Sequence, residues 1–261
     1  MYMYYSKDLE YIVSGYIPSN SYSGISYFAS NSDNNYPSEG ENIITIQPKY
    51  TQKNFTVPYE NPKQYFNAYP ASHAFTPKIL LNPSRPKARF IDDNNEATAI
   101  ADEIFGLMMN EKMPENISIN VLPFADFKAL HSRFGAWSSG ILGFSLNRDK
   151  KIFVRENHLD SLMIVIGHEI GHVLTETLPN KHDEEAKAFA FSIEWAKTIK
   201  KHNIANLGLS IKDEIGFQPA RNGLHDIAFS FVDFAVKKGR KAMELHNDLA
   251  KRYVSVFDRV Y

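Results

Sequence analysis

The chain has 261 residues, a formal net charge of -1 and no cysteine. That length suits one sizeable domain with an appendage, and near-neutral charge gives no overall pull toward nucleic acid or anionic membrane. The lack of cysteine excludes a disulfide framework, thiolate zinc ligands and a cysteine nucleophile.

The first 90 residues differ in character from the rest. Twelve of the 14 tyrosines lie between Tyr2 and Tyr69, and nine of the 13 prolines precede residue 90. Prolines at this density interrupt long elements, and only short runs such as Ile43 to Gln47 resemble strands. Residues 1–90 are therefore read as an extended or partly ordered N-terminal arm, rich in Tyr, Pro and Asn, which would act as a pro-segment if it crossed an active cleft. Met1 to Glu10 lack a basic stretch followed by an apolar core, so no secretory signal is read there. No window approaches the roughly 20 apolar residues of a membrane span. The expected location is cytoplasmic, or exported without a recognisable signal.

Residues 91–261 read as the folded domain. Asn94 to Met113 carries Ile100, Ile104, Leu107 and Met108 at helical spacing, with Pro114 beyond. Ile117 to Leu122 alternates like a strand, and Phe124 to Phe134 reads as a short helix. Two further strands, Ile141 to Leu146 and Lys151 to Arg155, flank a turn at Asn147 to Lys150. Leu159 to Thr177 is a strongly apolar helix with Asp160 as candidate N-cap. Helices are expected over Asp183 to Lys201, 225–238 and 240–257. The aromatic residues Phe189, Phe191, Trp195, Phe229, Phe231 and Phe234 fall at helical spacing and are read as core.

Within the apolar helix, His168-Glu169-Ile170-Gly171-His172 matches His-Glu-x-x-His. Two histidines four residues apart project from one helix face and can share one ion. Glu169 beside them can activate water instead of binding the metal. Gly171 is a poor helix former, and a close approach by backbone or substrate would account for it. A further histidine six residues on is missing, since Leu178 stands there, so a third ligand must come from another element. The next helix opens His182-Asp183-Glu184-Glu185. Glu185 shares a face with Phe189 and Ile193 and is the preferred third ligand. Glu184, three residues before Lys187, is the alternative, or half of a solvent-facing ion pair. His225, after the turn Arg221-Asn222-Gly223, is a candidate donor to a developing oxyanion, against the competing reading of a capping or surface histidine. His182 is expected to face solvent.

His-Glu-Ile-Gly-His-Val-Leu followed by Glu-Glu-Ala-Lys-Ala-Phe-Ala resembles the gluzincin branch of the zincin metallopeptidases, and is similar to the ImmA/IrrE-type, minigluzincin-like and lethal-factor-type catalytic domains. The resemblance covers about residues 117–200. It implies an α+β zincin-like domain: a small mixed sheet, an active-site helix and C-terminal helices, with an edge strand near Ile141 to Leu146 that binds an extended peptide. It also implies one Zn2+ per chain held by His168, His172 and Glu185, with Glu169 as general base and a protein or peptide as substrate. No nucleic-acid or membrane partner is expected. The alternative is a noncatalytic or autoinhibited zinc-binding interaction protein.

Overall fold

The computed structural model describes residues 77–214 and 224–257, together with the backbone of β1 (Ile43–Ile46) and β2 (Phe55–Pro58), which pair antiparallel. Most of the predicted arm lies outside the described residues. Ile79, Leu80 and Leu81 are buried in the main core, and Leu81 bridges Ile211.

The remaining elements form an α+β fold with six helices among the described residues. They are β3 (Phe90–Ile91), α1 (Asn94–Met109), β4 (Ser118–Leu122), α2 (Phe124–His131), β5 (Gly143–Leu146), β6 (Lys151–Arg155), β7 (Asn157–His158), α3 (Leu159–Val173), α4 (Lys181–His202), α5 (Leu224–Lys237) and α6 (Ala242–Ala250). Asp93 caps α1 by accepting from the Glu96 amide, and Asn110 ends it in the left-handed conformation at φ 57°. Such a cap favours Asn, whose short polar side chain tolerates positive φ.

The main sheet has the order β4-β6-β5, with β4 parallel and β5 antiparallel to β6. β5 is therefore an edge strand. Ile152 and Val154 of β6 join the core that includes α3, while Phe144 of β5 belongs to a second cluster with Phe127 and Ile141. A two-residue pair, β3 with β7, leads into α3. No helix among the described residues is long and apolar enough to cross a membrane.

Every residue of α3 except Ser161 is buried, as expected of a helix apolar all round. α4 packs against α3, α5, α6 and α1, which makes it the central helix. Of the aromatic residues read as core, Phe189, Phe191, Trp195, Phe229 and Phe231 are buried, and Phe234 is half-buried.

Boundaries differ from the sequence reading at several elements, α1 ending at Met109, α2 at His131 and β5 starting at Gly143 among them, and three further differences have a visible cause. The N-cap of α3 is His158, not Asp160: the Asp160 carboxylate is taken by Arg85 and the Ser161 amide. α3 stops at Val173, where its last carbonyls are met by side chains, Val173 O by Lys150 and His172 O by Lys187, which also bonds Glu176 O beyond the helix. α6 ends at Ala250, and the chain then turns back, with Asp183 Oδ1 accepting from Ser255 Oγ at 3.0 Å and Val256 N at 2.6 Å.

Candidate metal centre

Two helices must cross closely for residues 13 or more positions apart to share an ion. Gly171 permits this. A Cβ there would stand 2.8 Å from Ala188 Cα and 3.0 Å from Ala188 O, so the α4 backbone rests directly on α3. One turn earlier, a Cβ on Gly167 would enter the Trp195 indole, whose Nε1 donates to Met163 O at 2.9 Å. The expected close approach at Gly171 is thus made by neighbouring backbone. It lays the start of α4 beside the C-terminal half of α3.

His168, His172 and Glu185 meet there, all buried, with their ligand atoms within 4.8 Å of one another. The two Nε2 atoms are 3.3 Å apart, and Glu185 Oε2 lies 3.5 Å from His168 Nε2 and 3.9 Å from His172 Nε2. Donors bound tetrahedrally to zinc at about 2.0–2.1 Å stand roughly 3.3 Å from each other, so these spacings fit one such ion. Glu185 Oε2 is buried and among the described residues faces only imidazole nitrogens, those of His168, His172 and His225, at 3.2 to 3.9 Å, with none in good hydrogen-bond alignment.

The outer nitrogens of both histidines are held. Ser192 Oγ donates to Ala188 O at 2.8 Å, which leaves its lone pairs for the His168 Nδ1–H at 3.2 Å. His172 Nδ1 donates to Glu184 Oε1 at 2.9 Å. Each contact selects the tautomer whose Nε2 lone pair faces the centre. Burial pushes His168 down to about 4, which keeps it neutral and available as a ligand. Burial acts the same way on His172, but the Glu184 hydrogen bond and the nearby carboxylates outweigh it and raise its pKa. Glu185 sits well below the usual carboxylate range: burial would raise it, and the facing His225, His168 and His172 more than offset this.

Glu169 is fully buried beside the edge strand. A Cβ on Gly143 would stand 2.5 Å from Val165 Cγ1 and 3.1 Å from Glu169 Oε1, so only glycine lets β5 lie this close to that carboxylate. His225, in the first turn of α5, is buried with its Nε2 3.2 Å from Glu185 Oε2 and its ring edge-on to Phe189. It touches Glu185, the one acid of the cluster, but is not one of the three residues whose donors all converge.

Two sequence expectations change. Glu184 is not in a solvent-facing pair; it is buried, bonded to His172 Nδ1, to Leu178 N at 2.7 Å and to Lys187 Nζ at 2.9 Å. His182 is half-buried, its ring 4.6 Å from that of Phe257, and burial pushes it down to about 4. Ser192 and Gly143 carried no signal in the sequence. Lys187 carried a misleading one, because an i,i+3 acid–lysine pair on a helix normally marks a wet face.

In comparisons with protein-family models, curated proteins and solved structures, the chain matches no family, no curated protein and no solved structure.

Proposed function

We propose that the chain is a zinc-dependent peptidase that hydrolyses peptide bonds, with the ion held by His168, His172 and Glu185. The observation that carries this reading is the convergence of two tautomer-fixed histidines and a buried carboxylate at tetrahedral spacing, with a second buried carboxylate, Glu169, one residue along. When bound, zinc supplies a polarised water and an electrophile at the scissile carbonyl. Glu169 takes the proton from the attacking water and passes it to the leaving amine. Gly143 keeps the edge strand against Glu169, where an extended peptide pairing with β5 would pass the carboxylate. His225 donates to the developing oxyanion.

The tests are zinc content and peptide cleavage by the full chain. One zinc per chain is expected in the wild type. Glu185→Ala should lose it, whereas Glu169→Gln should keep it and lose cleavage. His225→Ala should keep zinc with a lower kcat. Wild-type chain that takes up no zinc would end the metal reading, and undiminished cleavage by Glu169→Gln would end the assignment of the base.

One observation favours a second reading, a noncatalytic or autoinhibited zinc protein. His168, Glu169, His172, Glu185 and His225 are each at most 1 % exposed, so a peptide needs some part of the chain to move before it reaches them. Zinc bound in full with no cleavage of any peptide in a diverse library would favour that reading.

A further inference from the structure

Lys187 is fully buried, an uncommon state for a lysine. A buried ammonium must be paired and hydrogen-bonded to be tolerated, and its partners show what it holds. They are Glu184 Oε1 at 2.9 Å, Glu176 O at 3.0 Å and His172 O at 3.4 Å. Glu184 accepts in turn from His172 Nδ1. One ammonium thus reaches the same metal-ligand candidate by two routes, through Glu184 to the ring and directly to the backbone carbonyl. The opposite side of the lysine is fixed as well: its own carbonyl accepts from the buried His246 Nδ1 of α6 at 3.0 Å.

We propose that Lys187 is a positioning residue of the metal centre, clamping His172 at its imidazole and at its main chain so that Nε2 points at the ion. This rests on the metal-centre reading above. His172 is the penultimate residue of α3, and its carbonyl, one of those a helix end leaves without a helical partner, is met by the lysine. The two carbonyls satisfy the ammonium protons that Glu184 leaves over, and one of the two is on His172 itself, so the group paired with Glu184 is also tied to the main chain of the ligand candidate. An orienting partner of a ligand histidine typically governs metal affinity by about ten- to a hundredfold.

The experiment uses the full chain as wild type, Lys187→Met, Glu184→Gln and the double variant. Zinc affinity is read by chelator competition, and the His172 imidazole by its nitrogen-15 shifts in the metal-free protein at one fixed pH. Lys187→Met should lose about ten- to a hundredfold in zinc affinity. Its His172 signals should move away from those of a single Nδ1–H tautomer. The double variant should stay weak, because the carbonyl clamp is still missing. Wild-type affinity in the double variant would reduce Lys187 to a counter-charge and overturn the proposal. So would wild-type affinity and unshifted His172 signals in Lys187→Met. If Lys187→Met does not fold, Lys187→Gln decides by the same two readings: weaker zinc binding with displaced His172 signals supports the clamp, and no change in either overturns it. A wild type that binds no zinc would fell the metal centre, yet the His172 signals in the metal-free chain would still judge the clamp.

Discussion

At the scale of single residues, His131 is as unusual as the site histidines. It is fully buried beside Trp137 and Phe144, with ring centroids 5.8 and 5.3 Å away, and neither ring nitrogen has a hydrogen-bond partner among the described residues. Burial lowers its pKa. The unfolded chain, with an ordinary imidazole near 6.5, takes up a proton as the pH falls through that value, while the folded chain refuses it. Stability contributed by neutral His131 is therefore present above about pH 6.5 and lost below it, by up to about 1.4 kcal/mol per pH unit while the folded ring stays neutral. Replacing it with phenylalanine keeps an aromatic ring in the cage and removes the proton acceptor. Urea midpoints of wild type and His131→Phe should run parallel above about pH 7 and diverge below about 6.5, the wild type losing more. The other buried histidines are common to both chains and cancel in the comparison. Parallel curves down to about pH 5 would mean that the folded ring accepts a proton in place.

At the scale of elements, the crossing of α3 on α4 decides whether a site exists. Gly171→Ala tests it. In an open helix the change would gain about 1 kcal/mol of helix propensity. Here the new methyl meets Ala188 Cα at 2.8 Å and Phe191 Cβ at 3.0 Å, and neither is the free end of a side chain that could swing away. Overpacking of this kind costs about 1–3 kcal/mol, so the net effect should be destabilising, with weaker zinc binding because the Glu185 helix is pushed from the histidines. A more stable Gly171→Ala chain with unchanged zinc affinity would show that the helices are not in contact there. The crossing was partly legible in the sequence. His168 and His172 share a face by helical period, and Glu185 falls on the face of Phe189 and Ile193, all of which are buried. What the period could not reveal was the second side of α4. Glu184 and Lys187 look like a wet pair because their burial comes from elements far along the chain: His246 of α6 bonds Lys187 O, and Ser255 and Val256 fold back onto Asp183. Gly143 was equally silent, since a glycine inside the run Ile141 to Leu146 shows no purpose until the edge strand is laid against Glu169.

At the scale of the whole molecule, an ion at this cluster would add a tie between elements already joined by packing and by hydrogen bonds such as Trp195 Nε1 to Met163 O. α4 brings one ligand and contacts α1, α3, α5 and α6, and α3 brings two and contacts the sheet. In the metal-free chain the cluster places the mutually facing Nε2 atoms of His168 and His172 beside the buried Glu185 carboxylate, an arrangement of polar groups that an ion would satisfy. An ion bound by the folded chain and not by the unfolded one stabilises by about 2.7 kcal/mol at a hundredfold excess over its dissociation constant. For a domain of this size each kcal/mol moves Tm by roughly 2–4 °C, so stripping zinc with a chelator should lower Tm by about 5–10 °C. Because the ligands sit on the two most buried helices, the shift should move one cooperative transition and not split off a second. The same titration on Glu185→Ala should leave Tm independent of zinc, while Glu169→Gln should respond as the wild type does, since its carboxylate is assigned to the proton and not to the ion. A zinc response retained in Glu185→Ala would place the third ligand elsewhere. One abolished in Glu169→Gln would place that carboxylate on the metal, and the division of labour between the two glutamates would have to be reversed.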